Sequence, residues 1–284
     1  MSDPFFEREA NILLSRQHSA VLFAHKKSAG QGEHFFLHLN NHVELYICLS
    51  GQTDYIVEDD YLSLKPGNVV VIRPHEVHVP VIRTAGVYER MYMLLPLDAF
   101  ADLAFDPLPC YLAMKGHLLS LPPEKEKEFL KLLYQLSDLA AEKTDAGMKM
   151  AGLFLQSQGL LTGVQKNGEG EEALRSGIPR QLRNILQYIG LHVQEIDSVE
   201  ALARHFYLSP QYLSTLFKKH VGVPVNQYLR IKKIALAKGY LEKGSSVSEA
   251  CYECGFSDSS YFIKNFRQYV GMTPGQYRNM FRKK

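Results

Sequence analysis

The sequence predicts an α+β chain of two domains, a small antiparallel β-structure with flanking helices followed by an all-α domain. Three observations predict it. Short strand-like runs separated by turn residues fill the first 110 positions. Near the other end a polar helical unit occurs twice, 49 residues apart. Charge also divides the chain: residues 1–178 carry 16 Lys/Arg against 23 Asp/Glu, a net of −7, whereas residues 179–284 carry 16 against 7, a net of +9. The whole-chain charge of +2 conceals this split. A strongly basic domain beside a mildly acidic one favours a polyanion as partner of the basic half.

Length and composition suit this division. At 284 residues, 46% hydrophobic and 22% charged, the chain has enough material for two cores. No window approaches eighteen consecutive apolar residues, so no membrane partner is expected. The beginning, MSDPFFEREANILL, has acidic residues where a secretion signal has basic ones. Cysteines 48, 110, 251 and 254 form no dense framework, which suits a reducing compartment. The expected location is cytoplasmic.

Runs at Ala20–His25, His34–Leu39, Val43–Leu49, Thr53–Val57, Val69–Ile72, Val77–Ile82 and Glu89–Leu95 read as strands. Ser50-Gly51, Glu58-Asp59-Asp60 and Lys65-Pro66-Gly67-Asn68 are turns between them. Many short strands at close spacing predict a small barrel or jelly roll over residues 1–110. His38, Asn40 and Glu44 share parity, so one strand face would present all three. His38-x-Asn40-x-x-x-Glu44 with Gly51, then Pro66-Gly67, Arg73-Pro74 and His78, is similar to the two motifs of the cupin barrel. The resemblance implies a cupin-like domain, whose metal-binding members hold an ion through three histidines and a glutamate. Here Asn40 stands at the second histidine position, and an amide oxygen substitutes poorly for imidazole. No metal or other cofactor is therefore expected. A pocket for a small organic ligand is the better reading, with His38, Glu44, Tyr46, Arg73, His78 and Arg90 as polar lining.

Past Leu121-Pro122-Pro123, the spacing of Phe129, Leu132, Leu133, Leu136 and Leu139 predicts a helix, and Met148–Leu161 a second. This 111–164 extension is either cover for the barrel or a homodimer contact. Residues 165–178, polar and Gly-rich, read as a linker.

From 179 onward the pattern is helical. Leu182, Ile185, Leu186 and Ile189 mark one face of the first helix. Ser198 caps a short second helix, and Ser209-Pro210 opens a third with serine at the N-cap and proline at the first turn. Two helices joined by a tight turn form a helix-turn-helix pattern at about 198–220. With Leu213, Leu216 and Phe217 inward, Gln211, Ser214, Thr215 and Lys218 share the outer face. The repeat, at about 247–270, sets Phe262 and Phe266 inward and Ser260, Ile263, Lys264 and Arg267 outward, capped by Asp258 or Ser257. Gln, Ser and Thr hydrogen-bond base edges, Lys and Arg reach phosphates or guanine, and Ile meets a thymine methyl. Between the units Val225–Lys243 reads as one helix of about 28 Å with a basic face of Arg230, Lys232, Lys233 and Lys238. That length approaches the ~34 Å between major-groove faces one turn apart. Cys251-x-x-Cys254 lies one helical turn apart with no further cysteine nearby, so both read as core.

Residues 180–282 resemble the DNA-binding domain of the AraC/XylS family of bacterial transcription regulators. Leu202-Ala203, Ser209-x-x-Tyr212-Leu213-Ser214, Phe217-Lys218, Gly222 and Tyr228 carry the resemblance in the first unit. Gly255-Phe256-x-Asp258-x-Ser260-Tyr261-Phe262, Phe266-Arg267, Gly271-x-Thr273-Pro274 and Tyr277-Arg278 carry it in the second. It implies that 179–284 binds double-stranded DNA through two helix-turn-helix units, with Gln211, Ser214, Thr215, Ser260, Ile263 and Lys264 at bases and Lys218, Arg267 and Arg278 at phosphates. It further implies a non-enzymatic regulator, an activator or a repressor. Such a regulator would have a small-molecule effector (sugars among the candidates), a homodimeric state and contact with RNA polymerase. The competing reading is a metal-dependent cupin enzyme with an accessory helical domain.

Overall fold

The computed structural model describes residues 5–30, 35, 37–142, 146–162 and 179–281. In chain order the first part forms β1 (Phe6–Ile12), β2 (Val21–Ala29), β3 (Val43–Ser50), β4 (Thr53–Val57), β5 (Asp60–Leu64), β6 (Val69–Ile72), β7 (His78–Ile82), β8 (Val87–Leu95), α1 (Leu108–Leu112), β9 (Leu118–Leu119), α2 (Pro123–Glu142) and α3 (Gly147–Thr162). The second part forms α4 (Arg180–His192), a 3-10 turn at Val193–Glu195, α5 (Val199–His205), α6 (Pro210–His220), α7 (Val225–Glu242), α8 (Val247–Glu253), α9 (Ser259–Val270) and α10 (Pro274–Phe281).

The strands make two antiparallel sheets, one ordered β1-β2-β8-β3-β6-β9 and the other β5-β4-β7. Alternation along β3 decides what each sheet face meets. Val43, Leu45 and Ile47 point outward into a core shared with Val69, Val71, Met91 and Met93, which α2 and α3 cover with Phe129, Leu133, Leu136, Phe154 and Leu161. The stripe on α2 is thus packed against the sheet, each fully buried Leu or Phe contributing about 1.5–3 kcal/mol. Glu44 and Tyr46 point the other way, toward the smaller sheet.

Several sequence expectations need correction. Of the strand expected over His34–Leu39, residues 34 and 36 lie outside the described residues, and among the described ones His38 forms an isolated bridge to His78. Among the described residues three strands went unread, one of them the two-residue β9. The first, β1, is a sheet-edge strand in which Glu7, Arg8 and Glu9 follow one another, so no apolar alternation marks it. The second, β5, is the return arm of the hairpin that turns at Glu58 and Asp59. The 165–178 linker lies outside the described residues. At the Lys65–Asn68 turn Gly67 has φ +89, where a side chain is strained, and a β-carbon there would meet the Glu126 carboxylate.

In the helical part α7 serves two cores. Its first half gives Tyr228, Leu229 and Ile231 to a cluster with α4, α5 and α6, and its second half gives Ile234, Ala237 and Leu241 to a cluster with α8, α9 and α10. The first cluster extends into the β-domain, taking in Ile56, Tyr61, Val77, Val79 and Val81. Polar contacts rim this junction. Lys232 pairs with Glu58, and the Tyr228 hydroxyl donates to the Glu58 carbonyl. Arg83, held by Asp54 at 2.5 Å, donates to the carbonyls of Lys219 (2.8 Å) and His220 (3.0 Å) at the end of α6.

Candidate DNA-reading faces and effector cavity

Each helix of interest starts at a cap visible in the sequence. The Ser198 side chain accepts from the Ala201 N–H at 3.0 Å and Ser209 from Tyr212 at 3.1 Å. In the second unit Ser246 and Glu249 form a reciprocal capping box, and Asp258, rather than Ser257, accepts from Tyr261. With α6 started at Pro210, Leu213, Leu216 and Phe217 are buried, and Gln211, Ser214, Thr215 and Lys218 are exposed together. On α9, Phe262, Asn265 and Phe266 are buried while Ser260, Ile263, Lys264 and Arg267 are exposed. Thr215 donates its hydroxyl hydrogen to the Gln211 carbonyl at 2.9 Å, which leaves its oxygen as an acceptor for a base amine. Gly271 ends α9 in the left-handed region at φ +81. Arg278 on α10 is half-buried, with Nε enclosed and unpaired.

One pair entered the sequence reading only as a mark of the repeat. Tyr212 and Tyr261 occupy equivalent repeat positions and are about half exposed (51% and 48%) beside the two polar faces. Their alignment in the repeat was the available signal. The basic face expected on the connecting helix is overturned. Lys232, Lys233 and Lys238 are all buried, at 6%, 8% and 0% exposure, because α7 is covered by both helical units and by the β-domain. Cys251 and Cys254 are buried free thiols. Cys251 donates to the Phe256 carbonyl and Cys254 to that of Ala250, and burial raises both thiol pKa values.

Between the sheets lies a cavity of about 320 Å³ lined by Lys26, Phe35, His38, Asn40, Glu44, Tyr46, Tyr55, Pro80, Arg90, Tyr92 and Leu94. Strand parity places Glu44 and Tyr46 on β3, and Arg90, Tyr92 and Leu94 on β8. Three tyrosines and a phenylalanine supply flat apolar walls. Lys26 is already engaged by Glu7 and Glu9. The Arg90 guanidinium lies 4.8 Å from the rings of both Phe35 and Tyr88. Of the expected lining residues, His38, Glu44, Tyr46 and Arg90 border the cavity, and fully buried His78 stands behind Glu44. Arg73 does not. It is drawn into a separate cluster, bonded to Glu76 and to the Met114 carbonyl at 2.9 Å. His117 sits there between Asp60 and Glu76, whose hydrogen bonds outweigh burial and raise its pKa to about 9.

Glu44 is held by three donors: His78 Nε2 at 3.2 Å, Asn40 Nδ2 at 3.0 Å and the Tyr55 hydroxyl at 3.4 Å. Burial works to raise its pKa, but the His78 charge and these bonds outweigh it and hold the carboxyl below its usual value. Burial likewise disfavours charged His78, yet Glu44 raises its pKa, while Nδ1 bonds the Glu76 carbonyl at 2.8 Å. His38, Glu44 and His78 bring their donor atoms within 4.8 Å of one another. The fourth motif position does not complete a metal site. Asn40 spends its amide nitrogen on Glu44 and its oxygen on the His42 N–H at 3.1 Å, and the carboxylate charge is already balanced by His78. Asn40 therefore supplies no fourth protein ligand.

Two helix-turn-helix units with open polar faces on a basic domain define a DNA-binding protein. Residues 202–280 match the family model described as a helix-turn-helix domain. Among curated relatives, the regulatory protein PocR of Salmonella typhimurium is 34% identical over 116 residues, 40% of this chain and 38% of its own. The HTH-type transcriptional activator RhaS of Escherichia fergusonii is 32% identical over 129 residues, 44% of each chain. The chain thus spans less than half the length of either. Among solved structures, the C-terminal domain of the response regulator yesN from Fusobacterium nucleatum is 34% identical, covering 34% of this chain and 94% of that one with a TM-score of 0.32. Residues 202–280 are thus similar to the helix-turn-helix domains of proteins named as transcription regulators. The matched relatives are named as regulators and not as enzymes.

Proposed function

We propose that the chain is a transcription regulator that reads double-stranded DNA with α6 and α9 and is controlled by a small organic effector held in the β-domain cavity. The observation that carries the effector reading is the cavity itself, with aromatic walls around Asn40, Glu44, His38 and Arg90. Flat apolar faces with a few fixed polar groups suit a compact polyhydroxylated ring, so a sugar or similar metabolite is the class proposed. Strand β7 supplies the coupling. Pro80 borders the cavity, whereas Val79 and Val81, on either side of it, pack into the core of the first helix-turn-helix unit. An effector that shifts β7 would bias how that unit sits, provided it binds the two arrangements differently. The proposal includes a homodimer, contact with RNA polymerase and a cytoplasmic location; among the described residues no helix is long and apolar enough to cross a membrane.

Two measurements test this on the full chain. In mobility-shift assays binding to a selected duplex is expected to be sequence-specific and to weaken steeply with salt; weak, sequence-indifferent binding overturns the DNA reading. In a thermal-shift screen of sugars, a ligand at 100 times its dissociation constant adds about 2.7 kcal/mol, and Arg90→Ala is expected to abolish the shift. A shift that persists in Arg90→Ala and in Tyr46→Phe overturns the cavity as its site.

A further inference from the structure

The connecting helix crosses from one unit to the other, and Lys233 stands at the crossing. Its ammonium is buried and donates to two main-chain carbonyls, Ile196 at 2.9 Å and Gly255 at 2.8 Å. Ile196 closes the turn that leads into the first helix-turn-helix unit, and Gly255 lies in the turn between the two helices of the second. The Phe256 ring lies 5.9 Å from the same nitrogen. The two turns also touch directly. Gly255 has φ +78, and a β-carbon there would stand 2.1 Å from the Gln194 carbonyl oxygen, a separation no side chain tolerates. One cation therefore joins the turns of both units at a place where their backbones are already in contact.

This is an unusual position for a lysine. On a surface helix a flexible ammonium is left in water, and burying one without partners is strongly unfavourable. Two carbonyl acceptors, one from each unit, make this burial tenable only while the units keep their present separation. Lys233 is 8% exposed and lies between the turns, so it is not a base or phosphate contact. The residues that face DNA, on α6 and α9, are carried by the two units that it ties together.

We propose that Lys233 is the positioning residue that fixes the register between the two reading helices, and so sets which half-site spacing the chain accepts. The proposal rests on both units engaging one duplex. Inserting one base pair between half-sites turns the second by about 35° and moves it by about 3.4 Å. A rigid pair of units cannot follow that displacement, whereas a loosely joined pair can.

The test uses the full chain, a duplex recovered by selection from a random pool, the same duplex with one base pair inserted or deleted between its half-sites, and a duplex carrying a single half-site. The wild-type chain is expected to lose at least about tenfold in affinity on insertion or deletion, comparable to a base mismatch. Lys233→Met keeps the stem and removes the donors. It is expected to bind the single half-site within twofold of wild type while its spacing penalty falls to about two- to threefold. Lys243→Met, which removes an exposed charge at the end of the same helix, is expected to keep the full penalty. Gly255→Ala keeps the lysine but drives the turns apart, and it is expected to flatten the spacing preference or move its optimum. An unchanged penalty in Lys233→Met, or in Gly255→Ala should the first variant fail to fold, overturns the proposal. A wild-type chain that binds the single half-site as tightly as the full duplex overturns the two-unit reading itself, a distinct result.

Discussion

Replacing Lys238 with methionine should stabilise the protein at neutral pH and lose that advantage in alkali. Lys238 is fully buried on α7, where Nζ donates to Asn41 Oδ1 at 2.6 Å and stands 5.3 Å from the Tyr277 ring. Glu242 one turn along and His75 from the β6–β7 loop face the same space, paired at 3.2 Å. Burial pushes the ammonium pKa down from 10.5 to about 8, with Glu242 opposing. Below pH 8 both folded and unfolded chains carry the proton, and the folded one holds it at a cost. Between 8 and 10.5 the unfolded chain binds more protons, so stability rises with pH there. At 1.36 kcal/mol per pKa unit the cost at pH 7 is about 3 kcal/mol, falling to about 1.4 at pH 9.5. Methionine fills the same space without that cost and forfeits the Asn41 bond, worth about 1 kcal/mol. Asn41 is exposed and rehydrates. The expected outcome in urea unfolding followed by circular dichroism is a gain of about 2 kcal/mol at pH 7, shrinking to near zero at pH 9.5. A variant less stable than wild type at pH 7, or a gain that does not change with pH, refutes the reasoning.

Three other outcomes follow from the same geometry. Arg83→Met removes the link between Asp54 and the last carbonyls of α6, and with its side chain 27% exposed the expected loss is about 2 kcal/mol in thermal unfolding; a loss under about 0.5 kcal/mol would show the contact to be incidental. Glu44→Gln removes a pair whose contribution is present above pH 4.5, where Glu44 is held ionised, and below pH 6.5, where His78 is held charged. The Glu44 part is lost as pH falls through its lowered folded pKa, and the His78 part as pH rises through its raised one. The wild type should therefore lose more stability than the variant between pH 6 and pH 9, and equal slopes would contradict this. Lys218→Ala should weaken DNA binding across sequences and reduce the salt slope by about one, whereas Gln211→Ala should cost about 1–3 kcal/mol and relax selectivity at a single base position.

The elements legible in the sequence are those with one side in water. The reading helices α6 and α9 show a clean apolar stripe, a serine or aspartate cap and an exposed polar face, so period and caps sufficed to place Gln211, Ser214, Thr215, Ser260, Ile263 and Lys264. Strand parity on β3 does bring Glu44 and Tyr46 to the cavity, whereas His38 and Asn40 border it from outside any named strand. Arg73 shows where that reasoning stops. Its position in the motif suggested the cavity, but a long side chain goes where its charge is balanced, and Glu76 supplies that balance elsewhere.

Opacity in the sequence and function in the structure coincide for a physical reason. An element that touches two neighbours has no face left in water, so periodicity cannot say which residue faces which partner. β7 is apolar along most of its length because it borders the cavity on one side and the first helix-turn-helix core on the other. In α7 the lysines spaced as a basic surface are instead bonds to three different bodies: Lys232 to Glu58 of the β-domain, Lys233 to the turns of both helical units, and Lys238 to Asn41. A charge sum counts these three as part of the +9 presented to DNA, yet none is exposed to it. Being wedged is also what lets such elements transmit a shift. A solvated helix absorbs a displacement by moving into water, whereas a strand or helix packed on every side must hand it to the next core. The cavity, β7, the first unit, α7 and the second unit form one contiguous series of such contacts, and the residues hardest to assign from sequence are the ones that join its members.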